Sequence, residues 1–317
     1  MPLPKLILLL LLIGIALWFT ITWVIALMRS GPFQAPSPFQ LLVGFITDFL
    51  DTLGVGSFAT TTALLRAGKS VDDSKLPGTL NVGHALPTIL QALIFIEFVK
   101  IDMWTLWLLI IASILGAYGG ASFVSRLPKR MIQIGMATAL LIAVTLLIAS
   151  LLKWTPKGGS ELGLTGTYLA IGFVGNFIFG ALMTIGVGAY APIMIMVNLL
   201  GMNQETAFPL MMGSCGFLMP VASYRFIKSG MYDARAAIGL TLLGLPGVMV
   251  AAFIVKKLSS EGLNWLVVAV VIYTALSMLY AAFKPAASQP AASDKEPASL
   301  GDPGNDSGNP YQPPRGM

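Results

Sequence analysis

The sequence is poor in charged side chains, cysteine and histidine, and each scarcity excludes a class of function. Only 10% of its 317 residues are charged, whereas a soluble domain carries roughly 25%. A single cysteine, Cys215, excludes an internal disulfide framework and a cysteine-based zinc or iron–sulfur site. A single histidine, His84, leaves little for a histidine metal site or a catalytic constellation. We therefore expect no enzyme, no bound metal and no cofactor.

Apolar sequence takes the place of these side chains. The chain is 56% hydrophobic, and its mean hydropathy is +0.81. The basic residues lie singly or in short clusters between apolar runs, which is typical of topology signals at a membrane surface and not of a nucleic-acid-binding face. A membrane-spanning helix needs about 20 apolar residues. Apolar runs lie at 6–28, 41–66, 79–98, 103–125, 131–152, 167–200, 207–227, 236–255 and 263–283. The pattern predicts an all-α polytopic membrane protein.

The two ends of the chain differ from the middle. The apolar core of a signal peptide has roughly 7–15 residues followed by a cleavage site. The run at 6–28 is longer and lacks such a site, so residues 1–30 are predicted to form a retained transmembrane helix. Residues 285–317 consist mainly of Pro, Ala, Ser, Gly, Asp and Asn. Such a segment buries too little apolar surface to offset its ordering entropy, which predicts a disordered tail.

The middle of the chain contains an internal repeat. The Gly-x-Gly at 54–56 recurs at 186–188, an offset of 132 (186 − 54). Gly116 recurs as Gly247, an offset of 131 (247 − 116). A nearly constant register over so long a stretch predicts two copies of one unit. The two predicted membrane repeats are 41–150 and 172–281.

The orientation of the two copies depends on their first runs, which glycines interrupt. These runs predict broken helices or re-entrant hairpins, which are tolerated only inside the protein or beside a water-filled cavity. If they do not fully cross, the copies are inverted and most Lys and Arg residues fall on one side, whereas full crossing divides them almost evenly. The positive-inside rule favours inversion, with the N-terminus outside and the tail in the cytosol. Inverted repeats with broken helices are a recurrent design of secondary transporters.

Each Gly-x-Gly is a candidate anion site. It would open a second half-helix, whose free N–H groups and positive dipole end attract negative charge. Glycine also lets a ligand approach the backbone closely. The alternative is that these glycines merely allow close helix packing, which is common in membranes.

Asp48 and Asp51 are the most informative charges of the apolar runs. They are three residues apart and therefore share a helix face, and an ionisable group inside a membrane is by default a functional candidate. A protonated carboxyl could couple proton movement to transport. The alternatives are helix capping near the interface or pairing with Arg66. The second copy has Gly180 and Met183 at these positions, so any carboxylate role belongs to the first copy.

Three motifs carry a resemblance to a known family. They are the duplicated Gly-Phe-x-x-x-Phe…Thr-x-Gly-x-Gly segment, the helix start Pro-Gly-Thr-Leu-Asn at 77–81, and Asp102 followed by Gly-Ala-Tyr-Gly-Gly at 116–120. Over about 41–283 the chain resembles the TauE/SafE family, also called toluene-sulfonate uptake permeases. The resemblance implies a permease of the cytoplasmic (inner) membrane that moves small sulfur-containing anions such as sulfite or organosulfonates.

The resemblance also implies a substrate site. It would be formed by Thr52, Gly54, Gly56, Ser57, Thr79, Asn81, Thr184, Gly186, Gly188 and Ser214. Further candidates for the same cavity are His84 and Tyr190, and the proton-coupling candidates are Asp48 and Asp51.

The expected function is that of a secondary transporter of small anions, with the anion and the lipid bilayer as partners and a homo-oligomer left open. Two other hypotheses remain at this point. Asp48 and Asp51, with Asn81 or His84, could bind a transported cation. The chain could also be a membrane-assembly or sensory component that transports nothing.

Overall fold

The computed structural model describes residues 3–31, 34–53, 56–154, 159–186 and 188–253, with isolated positions between 268 and 283. Every long regular element of these residues is a helix, as predicted. The helices are α1 (Leu3–Arg29), α2 (Pro38–Thr52), α3 (Ser57–Ala67), α4 (Leu76–Phe98), α5 (Met103–Val124), α6 (Lys129–Leu151), α7 (Gly166–Met183), α8 (Tyr190–Leu199), α9 (Ala207–Ser229) and α10 (Ala234–Phe253). The predicted tail 285–317 and most of the run 263–283 lie outside the described residues.

Six of these helices are long and apolar enough to cross a membrane: α1, α4, α5, α7, α9 and α10. This confirms the prediction of a polytopic membrane protein. The most apolar window of α1 has only 22% of its residues buried, whereas the corresponding windows of α4 and α9 have 72% and 83%. Helices α4 and α9 therefore form the centre, and α1 lies at the periphery with much of its apolar surface available to lipid.

Short polar signals fix where several helices begin. The Ser37 hydroxyl accepts a hydrogen bond from the Gln40 N–H, and the Gln40 side chain accepts one from the Ser37 N–H. This reciprocal pair is a capping box, which satisfies N–H groups that the first turn of α2 leaves free. Asp102 begins α5 in a similar way, because its carboxylate accepts from the Thr105 N–H at 2.8 Å.

Helices of one predicted repeat pack mainly on helices of the other predicted repeat. Helix α2, which opens the first copy, packs on α10 of the second copy; α7, which opens the second copy, packs on α5 of the first. The central pair is α4 with α9, and α10 on α4 mirrors α5 on α9. Each of these pairs joins a helix of one predicted repeat to a helix of the other, and the repeat itself stays a prediction.

Equivalent glycines bring the exchanged helices together. Gly247 of α10 faces the backbone of Phe45, and a Cβ atom at this position would lie 2.5 Å from the Phe45 carbonyl oxygen. Gly116 of α5 faces the carbonyl oxygen of Phe177 in the same manner. The two contacts correspond, because Gly116 and Gly247 are 131 residues apart and Phe45 and Phe177 are 132 apart (247 − 116; 177 − 45). Glycine is needed at both places because a side chain would separate the helices.

Both glycine-rich runs are interrupted helices. The first breaks between α2 and α3, where Gly56 has φ +87°; the second breaks between α7 and α8, where Gly186 has φ +97°. Both φ values lie in the region that favours glycine. The two glycines are not equivalent in the repeat, since Gly186 corresponds to Gly54 (186 − 132), which lies outside the described residues.

Candidate functional site

Both helix breaks open onto one small cavity. Gly56, Ser57 and Phe58 line it from the first break, and Gly188 and Ala189 line it from the second. The volume that the centre of a water molecule can occupy in this cavity is about 20 Å³. The cavity therefore holds one water molecule. An anion larger than water therefore needs the surrounding helices to move apart. The other lining residues are Asp51, Thr88, Met183, Met211, Met212, Cys215 and Met219.

The carboxylate of Asp51 caps helix α3 at the edge of this cavity. Its Oδ1 accepts a hydrogen bond from the backbone N–H of Ser57 at 2.7 Å, which places a negative charge at the positive end of the helix dipole. Helix capping, one of the alternatives for this residue, is therefore what Asp51 does. Pairing with Arg66 is not needed to explain it, because Arg66 pairs with Asp73 at 3.0 Å.

The two breaks differ in this respect. The residue equivalent to Asp51 in the second break is Met183 (51 + 132). The N-cap residue of α8, Ala189, gives no side-chain hydrogen bond. The N-terminus of α3 at the cavity therefore already holds a carboxylate from within the chain, and the position equivalent to Asp51 in the second break is a methionine.

Asp48 belongs to a buried chain of polar side chains behind Asp51. Its Oδ1 lies 2.8 Å from Nδ1 of His84, and Nε2 of His84 lies 2.9 Å from the hydroxyl of Thr61. All three side chains are fully buried. Because Asp48 lies on α2, Thr61 on α3 and His84 on α4, the imidazole connects both sides of the first break to the central helix.

The second carboxylate oxygen of Asp48 has no hydrogen-bond partner among the described residues. It faces Gly244 of α10, where a Cβ atom would overlap it. The equivalent residue in the first copy is Ser113 (244 − 131). The fold therefore makes room for a carboxyl group at Asp48 that the other copy, with Gly180, does not contain.

Helix α4 presents a polar face to both breaks. Asn81, His84, Thr88 and Gln91 follow one another at intervals of three or four residues and so share one face. Gln91 donates to the hydroxyl of Thr52 at 2.9 Å. The Asn81 amide donates to the carbonyl of Pro77 at 2.8 Å and, more weakly, to that of Met183 at 3.4 Å. Thr88 and Gln91 were not predicted, although their spacing from His84 is visible in the sequence.

Other predicted site residues make contacts that hold the helices together. The Thr79 hydroxyl accepts from the Asp233 N–H at 2.9 Å, before α10 begins. The Ser214 hydroxyl accepts from the Asn176 amide at 2.9 Å, which joins α9 to α7. The Thr184 hydroxyl donates within its own chain segment, to the carbonyl of residue 181. These three residues do not line the cavity.

The remaining candidates divide as follows. Gly56, Ser57, Gly188 and Asp51 line the cavity, whereas Gly186 lies beside it against Met136. Gly54 and the Tyr190 side chain lie outside the described residues.

The charge of the cavity comes from one group. Of the described residues that line it, Asp51 is ionisable with a negative charge, and no lysine or arginine is present. Within the same part of the chain, no three His, Cys, Asp or Glu side chains group closely enough to hold a metal ion. The hypothesis that Asp48 and Asp51 bind a cation with His84 therefore gains no support from the geometry.

Comparison with known proteins gives one result. Residues 168–308 match the family model described as "Sulfite exporter TauE/SafE". The match confirms the resemblance over the second predicted repeat; residues 41–167 lie outside it. No curated protein matches significantly. No solved structure matches significantly either.

Proposed function

We propose that this protein, whose residues 168–308 match the TauE/SafE family model, is a secondary transporter of small sulfur-containing anions. The substrate site is the cavity between the two helix breaks. The family description names sulfite, and sulfite or a small organosulfonate is the proposed cargo. The six helices able to cross a membrane support a permease of this kind.

The observation that carries the proposal is the carboxylate of Asp51 at the N-terminus of α3. A helix N-terminus stabilises negative charge, and here an anionic side chain of the protein occupies one. The N-terminus of α8, whose N-cap residue Ala189 gives no side-chain hydrogen bond, opens onto the same cavity. The site is thus suited to negative charge at both breaks, and Asp51 fills half of it.

A substrate anion cannot share this small cavity with ionised Asp51 at low cost. Two negative charges a few ångströms apart in a medium of low dielectric repel strongly, and no basic residue lines the described cavity to compensate. A proton on Asp51 removes the repulsion. The proposed transport step therefore moves one proton with each monovalent anion, and the imposed gradients set the direction.

Asp48 and His84 supply a place for the proton behind the cavity. Asp48 lies on the same face of α2 as Asp51, three residues earlier, and its Oδ2 has no partner among the described residues. The imidazole contacts both Asp48 and Thr61, so a change of its protonation alters bonds on both sides of the break. In this proposal Asp51 carries the proton that accompanies the anion, and Asp48 with His84 relays that proton to and from Asp51.

The proposed location is the cytoplasmic membrane, with the N-terminus outside and the C-terminal tail in the cytosol. The uneven distribution of Lys and Arg supports this orientation.

The test is uptake of labelled sulfite and alkanesulfonates into vesicles containing the purified protein. Gly56→Ala is the informative variant, because φ +87° is strained for alanine although its Cβ would meet no atom within 4 Å. Such strain costs about 1–3 kcal/mol and displaces the N–H of Ser57. Gly31→Ala is the matched control, since Gly31 has φ +109° and equal space but does not line the cavity. Loss of uptake in Gly56→Ala alone supports the site, and equal uptake by both variants refutes it.

A further inference from the structure

One wall of the cavity is made of sulfur. Met183, Met211, Met212, Cys215 and Met219 line it, and the Sγ of Cys215 lies 3.3 Å from the Sδ of Met183. We propose that this wall binds a soft monovalent metal ion, Cu(I) or its chemical analogue Ag(I). This site lies beyond the anion transport proposed above and does not depend on it.

The spacing on α9 places three of the sulfur side chains together. Residues 211, 215 and 219 follow at intervals of four and so share one face of the helix. Met183 ends α7, at the second break, and reaches this face from another element. Met212 adds a thioether on the next position of α9. The donors therefore come from two elements that meet at the break.

The donor type selects the ion. Thioether and thiolate sulfur are soft ligands, which select Cu(I), whereas hard cations prefer carboxylate and carbonyl oxygen. A buried cation also needs a negative partner, and among the described lining residues Asp51 provides one carboxylate. The single negative charge of this carboxylate balances the single positive charge of a monovalent metal ion. The absence of a His, Cys, Asp and Glu cluster from the described residues further disfavours a zinc site.

Methionine commonly fills gaps in apolar cores because its side chain is flexible. Here four methionines border one small cavity, and a carboxylate lines the same cavity. Leucine would form an equally apolar wall without a ligand. The exchange of methionine for leucine therefore separates packing from metal binding, because the two side chains have similar volumes.

The experiment uses the purified full-length protein in detergent without oxygen. Cu(I) is presented as its coloured complex with bicinchoninate, and the loss of colour reports transfer to the protein. The wild type is expected to take up one Cu(I) per chain. The double variant Met211→Leu/Met219→Leu is expected to bind more than about 100-fold more weakly, since the loss of even an outer-shell partner typically costs 10–100-fold in affinity.

The matched control is Met249→Leu, because Met249 is 45% exposed on α10 and does not line the cavity. It should bind Cu(I) as tightly as the wild type, and the thermal unfolding midpoints of all variants without metal should agree. The proposal is overturned if the wild type takes no Cu(I) from the complex. It is equally overturned if the double variant binds as tightly as the control. Anion uptake measured in metal-free buffer tests the transport function separately.

Discussion

Asp48 and Asp51 lie one helix turn apart, yet they have different partners. Asp51 accepts from the backbone N–H of Ser57, whereas Asp48 contacts the imidazole of His84. The sequence predicted a functional role for both carboxylates, because an ionisable residue inside an apolar run is a functional candidate by default. It could not predict their different partners, because these depend on how α4 is rotated against α2. Gln91 was missed for the same reason, although its spacing from His84 indicated a shared face.

The Asp48–His84 contact is expected to be energetically coupled. Removing one partner leaves the other polar side chain buried without its hydrogen bond, which costs about 1–3 kcal/mol and more if that side chain is charged. Asp48→Ala and His84→Ala should each lower the free energy of unfolding strongly, and the double variant should lose less than their sum by about 0.5–3 kcal/mol. The measurement is unfolding in detergent for the four proteins of the cycle.

Asp102 provides the control for this cycle. Its carboxylate binds Thr105 and not the buried chain, so Asp48→Ala and Asp102→Ala should be additive. Additive effects for Asp48 and His84 as well would mean that their contact contributes nothing specific.

At the scale of elements, the helix breaks and the close helix pairs both depend on glycine. The Gly-x-Gly motifs predicted where the two runs are interrupted, and the structure has helix ends there. Among the described residues, Gly56 of the first break and Gly186 of the second have positive φ, and the sequence did not predict which glycines would adopt it.

The two equivalent glycine contacts lead to a prediction about stability. Gly116→Ala and Gly247→Ala should each destabilise the protein, because the new Cβ would overlap the carbonyl oxygen of Phe177 or Phe45. Overpacking of this kind typically costs about 1–3 kcal/mol. The control is Gly119→Ala on α5, whose Cβ would meet no atom within 4 Å. Thermal unfolding in detergent compares the three variants, and a midpoint for Gly119→Ala as low as the others would contradict the packing argument.

At the scale of the whole molecule, the apolar runs predicted where the helices lie. The internal repeat predicted which helices of the two halves correspond to each other. The exchanged pairs α2 with α10 and α5 with α7 join the two predicted repeats. The composition of the cavity was not predictable, since α9 contributes methionines to it only because of the face it turns toward the breaks. Cys215 is buried, and it also lines the cavity.

The proposed membrane orientation predicts which loops are accessible from outside. In a Cys215→Ala background, Ser160→Cys should react in intact cells with a membrane-impermeant thiol reagent, because the loop between α6 and α7 is placed outside. Ala67→Cys, at the end of α3, should react only after the cells are opened. Both positions are exposed in the structure, so the difference reports the side of the membrane. The reverse pattern would require the opposite orientation.

The central claim is that Asp51 couples a proton to the transported anion. The most direct measurement follows the internal pH of vesicles while an alkanesulfonate gradient drives anion uptake; this anion carries no proton of its own. Asp51→Asn keeps an oxygen that can accept from the Ser57 N–H and removes the charge, and Asp102→Asn is the control at another helix cap. Wild type and Asp102→Asn should acidify the vesicle interior, whereas Asp51→Asn should move the anion without acidification. Acidification by Asp51→Asn equal to that of the wild type would contradict the claim.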